Sequence, residues 1–489
     1  MLKIDIADNA IANIQQIDTP PIPDDRRARS IKILRKWVPE WNEGGEPTAA
    51  LATAALLRIL ITTREEPAEV RKLGNVCLMT GHLGAGGAEL QLMRTARMLS
   101  SLAITGQRSA GVEMAGSVHV VVKSLEPEKD RNLAFHLPKL EKKSIPVWRL
   151  NKMPEVDLDD FGLPHKDIQD LLWLLHPNIV NGLRMIPWFK EHAIEVAYIW
   201  QDNPILHFAI AALLAGVPRI VLNFRSMPPN LRWNQDLDQF EVLYKGLAAM
   251  PGVSFATNSK VAGQAYATWI GCENKVFHVI RNAAAAHSAH PPAREIEAWE
   301  NFERSTGDST VTIGGIFRMH PNKRPLEWIR FAQHYLAIHP RARFVMIGTG
   351  MLTAAVRELA RELGILPRLL LMRETVAGTY WLRKMDVFVL LSRFEGTPNV
   401  LLEAQLAGVP VVSTPVANAK DTFIDGITGL VTSQGEHLDI EDVVAKVDQV
   451  LSHGRIGSVV SDQARRLIES RYSPQSMIEH TLRVMAGVN

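Results

Sequence analysis

Cysteine is nearly absent: Cys77 and Cys272 are the two in 489 residues. So few, so far apart, exclude a disulfide framework and a zinc-type cluster, and a reducing cytoplasm is the expected setting. Charge imbalance is lacking as well. Lys and Arg number 54 against 52 Asp and Glu, a net charge of +2, which argues against a nucleic-acid partner and makes any basic surface local. Long hydrophobic runs are missing. The longest, over 49–61, is broken by Arg58 and is short for a membrane span. The opening residues lack the basic-then-apolar order of a signal peptide. No spanning helix is expected, which leaves attachment at a membrane surface open. The histidines, His82 and His176 among them, show no metal-ligand spacing, so no metal is expected.

What is present is a chain with 46% hydrophobic and 22% charged residues, long enough for two or three globular domains. Residues 1–70 stand apart. Pro20, Pro21 and Pro23 sit in a polar, flexible stretch, and two helices are predicted over 26–38 and 48–62, read as a helical extension on the main body rather than a membrane or partner helix. From Asn75 onward strands and helices alternate. Strands are predicted at 75–80, 118–125, 178–183, 196–200, 219–224, 253–257 and 275–280, with helices over 89–100 and 206–215. A polar linker near 291–309 is followed by strands at 310–316, 342–348, 369–372, 387–392 and 409–414, and by an edge strand at 429–432. Such alternation implies parallel sheets covered on both faces, each half a doubly wound domain. Residues 473–488 read as an amphipathic helix.

The most informative stretch runs over 392–414. A strand ends near Ser392, and a loop carries Arg393, Phe394, Glu395 and Gly396. Thr397 suits a helix N-cap and Pro398 the first helical position. Gly408 and Pro410 end the helix. The helix N-terminus therefore faces the C-terminal edge of a sheet, where ligands bind in such folds. Free amides of Asn399, Val400 and Leu401, with the helix dipole, suit a diphosphate. Glu395 and Glu403, eight apart, can flank one ligand.

The segment EGTPNVLLEAQLAGVPVV (395–412) resembles the retaining glycosyltransferases of family four, whose hallmark is a Glu-x7-Glu motif in this setting. The resemblance covers about 75–488. It implies the GT-B architecture: two Rossmann-like doubly wound parallel-sheet domains facing across a cleft. With the helical extension at 1–70, the expected bounds are 71–300 for the acceptor domain and 301–472 for the donor domain. The helix at 473–489 would cross back to the first. By likeness, Glu395 would contact the donor sugar and Glu403 the ribose. Arg318 and Lys323 match the family's Arg-x4-Lys pair that neutralises the leaving diphosphate, with Phe317 where the family usually has Gly and Arg324 as a substitute for Lys323. Gly86 and Gly87, in a Gly-Gly-x-Glu segment, would lie near the donor phosphates. That loop, GHLGAGG (81–87), is neither a P-loop nor G-x-G-x-x-G. Glu89 reads as a first-turn charge rather than a catalyst. Gly348 and Gly350 would border the nucleotide and Arg373 and Glu374 its base. Asp386 fits the family pattern or is a strand-start charge, and Asn282 would shape the interdomain turn.

The match departs from the family at Arg225, where many relatives place a histidine near the donor sugar. Arg cannot serve as a base near neutral pH, and a ligand contact is the favoured reading over packing. Asp202 would point toward the same cleft or form an Asx turn before Pro204, and His82 is assigned to the acceptor side. The implied activity is metal-independent, retaining transfer of a sugar from a UDP- or GDP-linked donor to a glycan or lipid-linked acceptor, as in bacterial surface-polysaccharide synthesis, with no cofactor. The enzyme would be cytoplasmic or peripheral at the inner face of the membrane, alone or within a polysaccharide assembly complex. The rival readings are a nucleotide-sugar epimerase or hydrolase and a non-catalytic GT-B subunit.

Overall fold

A computed structural model describes residues 24–41, 45–127, 132–157, 162–232, 236–285, 290–416, 419–433, 437–452 and 457–488. The proline-rich stretch at 20–23 lies outside them.

The chain opens with helices α1 (Asp24–Trp37) and α2 (Ala49–Ile61). The Thr48 hydroxyl caps α2 by accepting from the Leu51 amide at 3.2 Å. Ala52, Leu56, Leu57, Ile59 and Leu60 of α2 then join the core of the first sheet. That sheet comprises β1 (Asn75–Thr80), β2 (Val118–Val122), β3 (Val147–Arg149), β4 (Ile194–Trp200), β5 (Arg219–Phe224), β6 (Val253–Thr257) and β7 (Phe277–Val279). All pair in parallel, in the spatial order β7-β6-β5-β4-β1-β2-β3. Both faces are covered, so β1, β2, β4 and β5 are near-continuous buried apolar runs rather than alternating ones. Between the strands lie α3 (Gly87–Thr105), α4 (Pro177–Gly182), α5 (Asp202–Leu214) and α6 (Leu237–Ala248). A small three-stranded sheet of 72–73, 108–109 and 112–114 flanks the first domain.

The second sheet follows α7 (Ala293–Ser305) and contains β8 (Val311–Ile316), β9 (Ala342–Ile347), β10 (Leu369–Met372), β11 (Val387–Leu390), β12 (Val411–Ser413) and β13 (Gly429–Val431). It too is parallel, in the order β10-β9-β8-β11-β12-β13. Helix α8 (Pro325–Ile338) follows β8, and α9 (Asn399–Leu406) lies between β11 and β12. The last helix, α10 (Pro474–Ala486), packs Met477, Ile478, Leu482 and Met485 into the first domain's core beside Leu78, Tyr198 and Val221.

Two predicted elements differ. The segment 178–183 is helix α4 and a following 3-10 turn, not a strand. Pro177 sits at its first position and the His176 ring caps it by accepting from the Asn178 amide at 3.2 Å. Gly182 is needed there, because a Cβ would fall 1.6 Å from the His207 carbonyl oxygen of α5. A short apolar run does not distinguish a buried strand from one buried turn of helix. The polar linker at 291–309 contains α7, whose Trp299 and Phe302 anchor it in the second core. Its Glu295 is buried and accepts from Thr375 Oγ1 at 2.7 Å and Trp381 Nε1 at 2.6 Å. Charges on the exposed face masked that amphipathic pattern.

Candidate functional site: the interdomain cleft

The C-terminal edges of the two sheets face each other across a cavity of about 610 Å³. Loops after β1, β8, β9, β10 and β11 supply its walls, as expected for parallel sheets. Glu395, Glu403, Arg318 and Lys323 all line this one cavity. So do Gly86, Gly87, Gly348, Arg373, Glu374, Gly396, Thr397, Pro398, Asn399, Val400, His82 and Arg225.

The loop after β11 brings Glu395 against Lys323, whose ammonium pairs with Glu395 Oε1, and the same oxygen accepts from Ser392 Oγ at 2.7 Å. Asn322 ties the two loops together by donating to the Phe394 carbonyl at 2.9 Å and accepting from the Phe394 amide at 3.1 Å. Arg318 is exposed within the cleft. A Cβ placed on Gly86 would lie 3.2 Å from its Nη2, so the first domain's glycine loop approaches the second domain's cation. Gly348 has φ +150°, and a Cβ there would meet the Phe317 carbonyl oxygen at 1.9 Å. Only glycine permits that close crossing of two loops. Thr349 donates to Glu374 at 3.3 Å. Arg94 of α3 is held below the usual guanidinium range by burial, with the nearby Glu403 carboxylate opposing the shift.

Several expectations are corrected. Helix α9 begins at Asn399, with Pro398 at the cap position and no side-chain cap. The Thr397 hydroxyl instead donates to the Asn258 carbonyl of the first domain at 3.0 Å. The Leu401 amide donates to the Pro398 carbonyl at 3.1 Å, and the Leu401 side chain lies in the second core. Of the three amides, those of Asn399 and Val400 belong to residues that line the cavity. Gly350 stands outside the cavity lining. Its φ of +158° and its approach to the Met319 carbonyl make it a turn residue. Arg324 is likewise not in the lining; it takes a left-handed conformation (φ +50°) at the start of α8.

Asp202 does not reach the cleft lining. It is buried at the start of α5, pairs with Arg232, and accepts from Tyr244 Oη at 2.8 Å and Tyr266 Oη at 2.6 Å. Burial would lower the Arg232 pKa, yet the Asp202 charge raises it above the usual guanidinium value. Burial, then the same carboxylate, pushes both phenols well above theirs. Asp202 is thus a structural pivot. Asp386 lies at the opposite edge of the sheet, where its carboxylate accepts from the Thr312 amide at 2.8 Å and joins β8 to β11. Arg225 reaches the cleft wall, but its guanidinium lies 4.5 Å over the Trp200 ring and donates to Asn282 Oδ1. Burial holds its pKa down to about 10. Alongside its place in the cleft lining, Arg225 thus packs on Trp200 and bonds to Asn282 within the same domain.

Glu89, read from sequence as a first-turn charge, is 2% exposed and lines the cleft. It accepts from Gln201 Nε2 at 3.4 Å and lies 3.7 Å from His82 Nδ1. That His82 nitrogen already accepts from the Gly84 amide at 3.1 Å. Gln201 was missed altogether. Its backbone (φ +71°, ψ 157°) occupies a region nearly reserved for glycine, the sort of strain that collects at functional sites. Asn132, Phe135, His136 and Lys139 complete the first-domain wall. Burial, then repulsion from Arg94 and Arg97, lowers the Lys139 pKa. No motif pointed to these residues, because their loops converge only in three dimensions. Among the described residues, no group of three His, Cys, Asp or Glu is placed to hold a metal ion, and no helix is long and apolar enough to cross a membrane.

Residues 310–453 match the family model described as Glycosyl transferases group 1. The Vi polysaccharide biosynthesis protein VipC/TviE of Salmonella typhi is 33% identical over 433 residues, covering 88% of this chain and 75% of that protein. The putative glycosyltransferase EpsF of Bacillus subtilis is 26% identical over 226 residues, 46% of this chain and 57% of its own. Among solved structures, Anabaena Alr3699/HepE, in complex with UDP and glucose, superposes with a TM-score of 0.62 at 15% identity, over 83% of this chain and 97% of that one. At that identity the likeness is one of fold, and it is the GT-B arrangement of two facing Rossmann-like domains. The chain belongs to the family of the Vi polysaccharide biosynthesis protein VipC/TviE, and is a GT-B glycosyltransferase of bacterial polysaccharide biosynthesis.

Proposed function

We propose that the enzyme is a family-four, retaining glycosyltransferase that takes a sugar from a UDP-linked donor without a metal ion or cofactor and passes it to a glycan or lipid-linked acceptor. One observation carries the reading: Glu395, Glu403, Arg318 and Lys323 line a single cleft together with Asn399 and Val400 at the start of α9. The partial positive charge of a helix start, with two cations opposite, suits a nucleoside diphosphate. Anabaena HepE, of the same fold, is complexed with UDP and glucose, and this supports UDP over GDP.

The diphosphate would lie against the Asn399 and Val400 amides, between Arg318 and Lys323, with Glu403 at the ribose and Glu395 at the sugar. Gly86 and Gly87 would let the first domain close over the phosphates. As the bond from the sugar anomeric carbon to the phosphate oxygen breaks, negative charge grows on the departing UDP. Arg318, Lys323 and the helix amides are fixed in advance to stabilise it. The acceptor oxygen bonds to the same carbon from the same face, and its proton passes to the departing phosphate oxygen. This route needs no histidine base, in keeping with Arg225 at that place. Closure of the cleft keeps out water that would hydrolyse the donor. The work would take place in the cytoplasm or at the inner membrane face.

The test is a thermal-stability titration with UDP and GDP, then UDP release from a panel of UDP-sugars with and without acceptor glycans. UDP stabilisation with acceptor-dependent release is expected. Release independent of every acceptor would mark a nucleotide-sugar hydrolase, and no response to either nucleotide would remove the donor site.

A further inference from the structure

A file of polar side chains crosses from the first domain to the start of α9. Arg225 donates through Nη2 to Asn282 Oδ1, and its Nη1 lies 3.4 Å from Asn223 Oδ1. Asn282 Nδ2 donates to Asn399 Oδ1 at 2.5 Å and to the Thr397 carbonyl at 3.2 Å. Asn399 Nδ2 donates back to the Gly87 carbonyl of the glycine loop at 3.2 Å. Gln91, fully buried, braces the crossing. Its amide exchanges two bonds with the Ala283 backbone, at 2.8 and 2.9 Å, and Nε2 reaches Asn399 Oδ1 at 3.3 Å.

The direction of this file is fixed by chemistry. A guanidinium has only donors, so Asn282 must turn its oxygen to Arg225 and its nitrogen to the second domain. There it meets the Thr397 carbonyl, which can only accept, and Asn399 Oδ1. Asn399 must then turn its nitrogen to the Gly87 carbonyl, again acceptor-only. Flipping either amide would set oxygen against oxygen or nitrogen against nitrogen at every step. The chain of bonds is charge-assisted at its Arg225 end, where such bonds are strongest, and it ends on the residue whose own amide opens α9. Gly396 tightens the same seam, since a Cβ there would lie 2.7 Å from the Arg225 carbonyl and 2.6 Å from the Asn258 side chain.

We propose that Arg225 and Asn282 are positioning residues: through Asn399 they fix the first turn of the donor helix, and they latch the cleft closed across the two domains. They touch no donor atom; they aim the amides that would. The inference rests on the proposed function in taking α9 as the diphosphate helix. The arginine, charged and donor-only, can hold this orientation at every physiological pH. The structure thereby gives Arg225 a role that needs no contact with substrate.

The test uses the full chain and four variants, Asn282→Asp, Asn399→Ala, Arg225→Met and Arg225→Lys, with UDP affinity by calorimetry and the radius of gyration by small-angle scattering. Asn282→Asp nearly preserves shape but sets a carboxylate oxygen against Asn399 Oδ1 and the Thr397 carbonyl. UDP should bind about tenfold more weakly, the loss of roughly one hydrogen bond to a charged group. Arg225→Met should do the same and Arg225→Lys should recover part of the loss. Combining Arg225→Met with Asn399→Ala should weaken binding no further than Asn399→Ala alone, because both break one relay. A merely structural Arg225 would give additive losses. UDP affinity within twofold of the parent in folded Asn282→Asp, or additive losses in the double variant, overturns the proposal. Should the parent bind neither UDP nor GDP, the donor reading fails on its own, and scattering then decides the latch: a larger radius in Asn282→Asp or Asn399→Ala supports it, and unchanged radii sink it.

Discussion

Replacing Lys323 with alanine separates the chemistry of this cleft from its architecture. The ammonium pairs with Glu395 Oε1, and Ser392 continues to donate to that oxygen at 2.7 Å once the lysine is gone. The two side chains retain 23% and 13% of their exposure and open onto the cleft, so water can take the vacated place. The stability cost should then stay near the value for a partly solvated ion pair, about 1 kcal/mol or less, a melting shift of a few degrees at most. Catalysis should suffer far more. A pre-positioned charge that stabilises a developing anion is worth roughly 10²–10³ in rate, or about 2.7–4 kcal/mol. The assay is UDP release at saturating donor and acceptor, set beside thermal melting and UDP affinity of the same sample. Turnover within threefold of the parent would refute the reasoning. So would a rate loss matched by a collapse in melting temperature, because the lysine would then be holding the loop rather than the phosphate.

Further expectations follow from the same geometry. Gly348→Ala places a Cβ 1.9 Å from the Phe317 carbonyl oxygen at φ +150°, and should cost about 3 kcal/mol or more by thermal melting. Asp202→Asn removes the charge opposing Arg232 while keeping the shape. It should destabilise the first domain by about 3–5 kcal/mol yet leave turnover of the folded fraction near normal, and a stable but inactive variant would return Asp202 to the site. His207 is buried, and burial, then Lys123, brings its pKa down to about 3 from an ordinary 6.5. The unfolded chain therefore binds the extra proton first as pH falls. The stabilising contribution is intact above about pH 6.5 and is lost toward pH 3, at up to about 1.4 kcal/mol per unit. Denaturation at pH 7 and pH 5 should show a smaller difference for His207→Gln than for the parent.

The sequence by itself settled whatever is encoded locally. Strand–helix alternation with near-continuous apolar strands specifies parallel sheets, because only covered sheets carry such strands. The stretch from Glu395 to Gly408 holds a loop, a helix start and a helix stop within a few residues; the family resemblance added Arg318 and Lys323 from a separate loop, and all four fall in one cleft. Local rules misjudged 178–183 and 291–309, where one buried turn and one charge-coated helix depend on what packs against them. Tertiary structure alone decided the rest. Thr397 looked like a cap until Asn258, 139 residues away, took its hydroxyl. Asp202 looked like a cleft group until Arg232, Tyr244 and Tyr266 closed on it, and Arg225, though in the cleft wall, is also held by Trp200 and Asn282. Glu89 is the first-turn charge of α3, as its spacing suggested, but its burial against the cleft appears only in the folded chain. A polar side chain's role depends on which partner reaches it first, and those partners come from distant segments that only the folded chain brings within hydrogen-bond range.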